Sequence, residues 1–286
     1  MRVNVVTVST GWILQKWSER IVVEGQKQGH DFTLSHNPVN SVDCNLYVDI
    51  QNCYRGKTNS LDVGVFTHID KNDVNTVNRN CLSLDYIVHM CDRYYQTFKS
   101  FYPENKMSVL LPAEVNSRFS IYKPQIGIFQ RGKYEGKGYD FMLGLIKNQI
   151  IENFKFKFVG KDWDEVVKQL QLMNIEVDYL TSEDYREYQQ HYHDVDYVLI
   201  PSLWEGGPMS ILEGLSCGKP VISSNVGLIG EFDVDYVYEP NDINGLIEIL
   251  TKIYEPIKKR RDSVSEVTYE KFVSGIIEII NKLKTN

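Results

Sequence analysis

Two pairs of residues in the second half of the chain have the charge and spacing to do chemistry. Arg131 and Lys137 sit in the glycine-rich loop Gln130-Arg131-Gly132-Lys133-Tyr134-Glu135-Gly136-Lys137-Gly138, with five residues between them. An arginine grips two oxygens of an anion at once and a lysine acts as a point charge, so the two together can neutralise a diphosphate. A solvated basic turn would have the same composition. Glu205 and Glu213 sit in Pro201-Ser202-Leu203-Trp204-Glu205-Gly206-Gly207-Pro208-Met209-Ser210-Ile211-Leu212-Glu213-Gly214, with seven residues between them. Two carboxylates flanking a Gly/Pro loop can serve acid–base work or accept hydrogen bonds from sugar hydroxyls. Eight positions along a helix is also a return to the same face, so a surface pair would show the same spacing.

These side chains need elements to hold them. Asp196 to Ile200 predicts a buried strand ahead of the Glu205 loop, and Val221 to Ser223 predicts another behind it. Between them, Pro208 suits the first turn of a helix, Ile211, Leu212 and Leu215 supply its apolar stripe, and Gly218 its stop. The unit is strand, loop, helix, strand. Glu205 then stands at the carboxyl end of a strand and Glu213 inside the helix. The free N–H groups of Met209 and Ser210 face the same crevice, where a phosphate is the usual guest. Gly206 and Gly207 allow a ligand to come close. The Arg131 loop likewise follows a predicted strand, Ile126 to Phe129.

The first half starts as another Rossmann-like segment. Val3 to Val8 predicts a strand, Ser9-Thr10-Gly11 a tight turn, Trp12 to Gln28 a helix and Asp31 to Leu34 a strand. No G-x-G-x-x-G is present; Gly11 either lets a phosphate approach or forms a plain strand-to-helix turn. Further strands are expected over 46–50, 63–67, 85–90 and 107–111, with Asp92 capping a helix over 93–101. His68 follows a strand end, where active-site residues of open α/β sheets collect. Glu114 and Asn116 suit a turn or hinge. In the second half, helices are expected over 139–147, 164–173, 182–191 (capped by Ser182), 243 to about 254 (capped by Asp242) and 268–284, with strands over 154–159, 175–180 and 236–238. His191 and His193 lie two apart, on different helix faces, and do not suggest a metal. Lys258 to Arg261 is a solvated charge run or, less simply, a contact for an anionic membrane surface.

The 286 residues suit two α/β domains, over 1–121 and 122–265, and a closing helical segment over 266–286. A hydrophobic fraction of 42% and a charged fraction of 24% describe an ordinary globular chain, and a net charge of −7 disfavours nucleic-acid binding. The five cysteines form no C-x2-C pair, which points to free thiols in a reducing compartment. No signal-peptide pattern or run of membrane-spanning length occurs, so a cytoplasmic location is expected, with peripheral membrane contact as its extension.

Taken in order, these landmarks resemble the GT-B glycosyltransferases and, within them, glycosyltransferase family 4. Pro201 to Gly214 resembles the family's P-S-x-x-E-x7-E signature, Leu215 to Ser223 its A-x-G-x-P-V-I stretch, and Asn225-Val226-Gly227 with Glu231 the segment after it. Arg131 and Lys137 resemble its R-x5-K element, and Leu111 to Phe119 its domain-joining segment. The resemblance implies two Rossmann-like domains facing across a cleft, the N-terminal one reduced and the last helix packed back on it. It implies retaining transfer of a sugar from a nucleotide-diphosphate donor, UDP- or GDP-linked, to an acceptor hydroxyl, with no metal or other cofactor. Residue by residue, Glu205 with Gly206 and Gly207 would meet the donor sugar and Glu213 the ribose. Arg131, Lys137, Gly11, Met209 and Ser210 would hold the phosphates, and Leu180 and Thr181 would lie near the base. His68 would stand near the transferred sugar. A nucleotide-sugar epimerase, a non-catalytic sugar-nucleotide-binding subunit and, with less support from the charge, a DNA-modifying glycosyltransferase are the competing expectations. The acceptor and the oligomeric state are not specified.

Overall fold

The structure, a computed structural model, describes residues 1–8, 11–48, 50–67, 82–113, 119–181 and 184–285. His68, Glu114, Asn116, Ser182 and the Ser9-Thr10 part of the first turn lie outside the described residues. The chain forms two compact units, Met1–Ser120 with Asp262–Asn286, and Ile121–Arg261. Each is an α/β unit built on a parallel sheet of six strands.

In the first unit, β1 (Arg2–Val6), β2 (Asp31–Ser35), β3 (Cys44–Tyr47), β4 (Leu61–Phe66), β5 (Tyr86–His89) and β6 (Met107–Val109) pair in the order β2-β1-β3-β4-β5-β6. The helices α1 (Ile13–Lys27), α2 (Ile50–Cys53) and α3 (Asp92–Phe98) connect or follow them. Strands such as β3 are buried along their whole length, as parallel strands covered on both faces must be. Two local expectations are corrected here. The strand predicted to run to Ile50 ends at Tyr47, and Ile50 opens α2. Asp92 does not cap α3: the cap is Cys91, without a side-chain hydrogen bond, and Asp92 in the first turn accepts from Gln96 at 3.0 Å.

In the second unit, β7 (Gln125–Ile128), α4 (Tyr139–Leu145), β8 (Lys155–Val159), α5 (Asp164–Leu172), β9 (Val177–Leu180), α6 (Tyr188–His193), β10 (Tyr197–Ile200), α7 (Met209–Ser216), β11 (Val221–Ser224), β12 (Tyr236–Tyr238) and α8 (Ile243–Asp262) follow in turn. The sheet order is β12-β11-β10-β7-β8-β9. The chain starts in the middle, builds one side and returns to build the other, so β7 and β10 flank the topological switch point. One face of the sheet packs Phe156, Phe158, Trp163, Met142 and Leu246; the other packs Phe129, Tyr192, Ile200 and Ile211. The helix predicted over 182–191 is shorter and later: a 3-10 turn at Tyr185–Glu187 leads into α6. α8 runs on through Pro256 to Asp262, so the Lys258–Arg261 charge run is the last turn of a helix. Asp242 does cap it, accepting from Gly245 N–H at 3.0 Å.

α9 (Tyr269–Thr285) completes the first unit. Its Phe272, Val273, Ile276 and Ile280 are buried in the same apolar cluster as Val3, Leu46, Val63 and Val88. Gly275 lets it come close, since a Cβ there would lie 2.7 Å from Leu110. Among the described residues, no helix is long and apolar enough to cross a membrane.

Candidate active site

The switch point of the second sheet carries the two loops singled out by their charges. The loop after β7 holds Arg131 and Lys137, and the loop after β10 holds Glu205. Both leave the carboxyl ends of parallel strands, where ligands of open α/β sheets bind. The loops are joined along their backbones. Leu203 N–H donates to Gly136 C=O at 2.6 Å, and Gln130 Nε2 donates to Lys137 C=O at 2.6 Å. Gly138, at φ +78°, marks the closest approach: a Cβ there would stand 1.9 Å from Pro201 O. That position has no room for a side chain, which is why the basic loop ends in glycine.

Lys137 donates to Glu205 Oε1 through a short contact, and both side chains are largely buried. The other carboxylate oxygen of Glu205 accepts from Ser202 Oγ at 2.8 Å. Ser202 also reaches Gln130 Oε1 at 3.2 Å, so one buried hydroxyl touches both loops. Arg131 is exposed and stands 3.6 Å from Asp162. Gln130, Arg131, Lys137 and Glu205 border a cleft of about 500 Å³ whose wall also includes Tyr188, Gly207, Pro208, Met209, Ser210 and Glu213.

Glu213 lies inside α7, and its Oε2 accepts from Tyr192 OH at 2.6 Å. The Tyr192 ring is buried and stacks on Phe129, centroid to centroid at 3.9 Å. Burial first, and the Glu213 carboxylate second, raise the Tyr192 hydroxyl above the ordinary tyrosine range, so it stays a proton donor. The tyrosine thereby fixes the carboxylate. Pro208 is the N-cap of α7 and not a first-turn residue, a correction to the expected boundary. The first helical N–H groups are those of Met209 and Ser210, beside the cleft.

The structure therefore brings Arg131, Lys137, Glu205, Gly207, Met209, Ser210 and Glu213 to one cleft. Gly206 is exposed on the Glu205 loop, with nothing within 4 Å of an added Cβ. Leu180 packs on the apolar cluster around Phe129 and Thr181 is exposed; neither lines the cleft. A second cavity of about 630 Å³ shares Tyr188, Met209 and Glu213 with the first. Gly11 belongs to the other unit, where it is exposed at φ +72° and its N–H donates to the Gln15 side chain. Sequence reasoning missed Gln130, Ser202, Tyr188, Tyr192 and Asp162. The first two are neighbours of singled-out residues. The tyrosines carry no spacing signal, because strands and turns intervene.

Residues 123–255 match the family model described as "Glycosyl transferases group 1", a segment within the unit that carries this cleft. An uncharacterized glycosyltransferase of Methanocaldococcus jannaschii is 27% identical over 173 residues, 55% of this chain and 48% of that protein. The UDP-Gal:α-D-GlcNAc-diphosphoundecaprenol α-1,3-galactosyltransferase of Escherichia coli is 35% identical over 96 residues, 31% of this chain and 24% of that protein. The matched segments thus span about half the length of these relatives or less. Among solved structures, sucrose-phosphate synthase from Thermosynechococcus elongatus aligns over 95% of this chain and 78% of its own, at a TM-score of 0.42 and 13% identity. That likeness is too distant to bear on the chemistry.

Proposed function

We propose that this protein is a retaining glycosyltransferase of the family 4 type, moving a sugar from a nucleotide-diphosphate donor to an acceptor hydroxyl without a bound metal. The observation that carries the reading is the meeting of Arg131, Lys137, Glu205 and Glu213 at the switch-point cleft, beside the N-terminus of α7. In the reaction the acceptor oxygen attacks the anomeric carbon and the bond from that carbon to the diphosphate oxygen breaks. The electron pair leaves with the diphosphate, and the acceptor proton passes to a diphosphate oxygen on the same face of the sugar. Charge grows on the leaving group. Two side-chain cations and the Met209 and Ser210 N–H groups then stabilise it. Glu205 then takes the sugar hydroxyls and Glu213 the ribose hydroxyls, as acceptors. The ring of Tyr188, between the two cavities, offers the base a stacking face.

Lys137 and Glu205 neutralise each other in this cleft. Donor binding has to draw Lys137 toward phosphate while Glu205 turns to the sugar. The donor and acceptor in the name of the E. coli relative, UDP-galactose and a lipid-linked GlcNAc diphosphate, are the first pair to try.

The test is a thermal-shift screen of UDP, GDP, ADP and their sugars, followed by turnover with and without acceptor. Nucleotide diphosphates should stabilise the protein, as any ligand of the folded state does. Arg131→Ala and Lys137→Ala should each lower turnover by ~10²- to 10³-fold, the usual cost of removing one group that stabilises the developing charge. Full turnover by Arg131→Ala would sink the phosphate assignment. Consumption of nucleotide sugar with no acceptor present would turn the reading toward an epimerase.

A further inference from the structure

Arg131 faces a residue that no motif singles out. Asp162 lies in the loop after β8, the strand next to β7, and its Oδ2 is 3.6 Å from Arg131 Nη2. The backbones of the two loops are locked together around this pair. Gly132 N–H donates to Lys161 C=O at 2.8 Å, and the Trp163 indole N–H donates to Gln130 C=O at 2.8 Å. A Cβ on Gly132 would come within 2.4 Å of Asp162 O, and one on Gly160 within 2.2 Å of Gln130 O. Asp162 itself sits at φ +72°, in the left-handed region that favours glycine. Aspartate and asparagine are the side chains that tolerate it best. At a position where the backbone asks for glycine, the chain places a carboxylate beside the outermost cation of the cleft.

We propose that Asp162 is the resting counter-ion of Arg131, a positioning residue that holds the guanidinium at the cleft mouth until a nucleotide diphosphate displaces it. The inference rests on the donor reading above. Arg131 is 62% exposed and Asp162 41%, so water screens the pair and its grip is modest. A diphosphate offers more charge and a better fork for the guanidinium, and wins the exchange. When the nucleotide product leaves, the carboxylate takes the cation back. Asp162 thereby weakens product binding and speeds release, a step that limits turnover in many enzymes.

The experiment is calorimetric titration of UDP, GDP and ADP, with the matching nucleosides as controls, at low salt. The proteins are wild type, Asp162→Asn, Asp162→Gly, Arg131→Ala and the Arg131→Ala/Asp162→Asn double variant. Asp162→Asn keeps the backbone tolerance and removes the charge; Asp162→Gly removes both strain and charge. Both should bind the diphosphate that wild type binds ~2- to 5-fold tighter, with nucleoside affinity unchanged and with the gain fading as salt rises. In the Arg131→Ala background the gain should vanish. A purely structural residue would instead lower the melting temperature and weaken nucleoside and diphosphate alike. Unchanged or weaker diphosphate binding in both single variants overturns the proposal, as does an equal gain without Arg131. If folded wild type binds none of the diphosphates, the donor reading falls and takes this proposal with it. Binding by wild type that is indifferent to Asp162 removes this proposal alone.

Discussion

At the scale of single residues, the bond from Tyr192 to Glu213 is the clearest lever. Tyr192→Phe keeps the stack on Phe129 and deletes only the hydroxyl. A hydrogen bond to a charged group contributes about 1.5–3 kcal/mol. On the ribose-side role proposed for Glu213, the variant should lose ~10-fold or more in donor affinity with kcat nearly unchanged. Initial-rate kinetics over donor concentration decide it; a fall in kcat at constant KM would contradict the ribose-side role. Charge and spacing singled out Glu205, Glu213, Arg131 and Lys137 in the sequence, but a surface pair and a solvated basic turn fit the same pattern, and the family resemblance decided between the readings. Neither singled out Tyr192 or Asp162. Their meaning lies in contacts across the fold, 21 residues away for Tyr192 and between the loops after neighbouring strands for Asp162.

At the scale of elements, the site depends on how closely two loops approach, and glycines set that distance. Gly138→Ala puts a methyl group 1.9 Å from Pro201 O at a positive φ. Backbone there has no flexible side chain to move aside. A loss of about 3 kcal/mol or more in unfolding free energy is expected, with Lys137 displaced from Glu205. Gly206→Ala meets nothing within 4 Å and should change stability by no more than about 0.5 kcal/mol. Urea unfolding of the two variants side by side is the check, and equal stabilities would mean the loops are not fixed as described. Strand and helix types were largely legible from apolar runs and turn residues. Boundaries were lost where local rules compete. The helix expected to end near residue 254 is one case: α8 runs on through Pro256 to Asp262, although its buried residues, Leu246, Ile249, Leu250 and Ile253, all lie before that point.

At the scale of the molecule, stability should depend on pH at both ends of the range. His89 is fully buried, and that burial depresses its imidazole from 6.5 to about 4. The unfolded chain takes up a proton below pH 6.5 and the folded chain does not until about pH 4. The contribution is therefore whole above 6.5 and lost as pH falls toward 4, about 3 kcal/mol in all. Melting temperature should drop over that window, and His89→Leu should flatten the drop; no change between pH 7 and 4 would refute it. At the alkaline end, burial raises the hydroxyls of Tyr47, Tyr192 and Tyr238. Unfolded tyrosines ionise near 10 and these do not, so stability should fall as pH rises past 10.

The first unit is closed by a helix that arrives only after the second unit has been threaded through the chain. Ile276→Ala in α9 should cost the first unit about 2–5 kcal/mol, a core truncation far along the sequence from the sheet it supports. The same connectivity sets an order of events on the ribosome. Residues 121–261 are contiguous and can fold as soon as they emerge, whereas residues 1–120 wait, with an open apolar face, for 269–285. Protease challenge of stalled nascent chains should find the later-made unit protected before the earlier one. Of these two units, the one synthesised first is then the one that finishes last, with its apolar face uncovered in the interval.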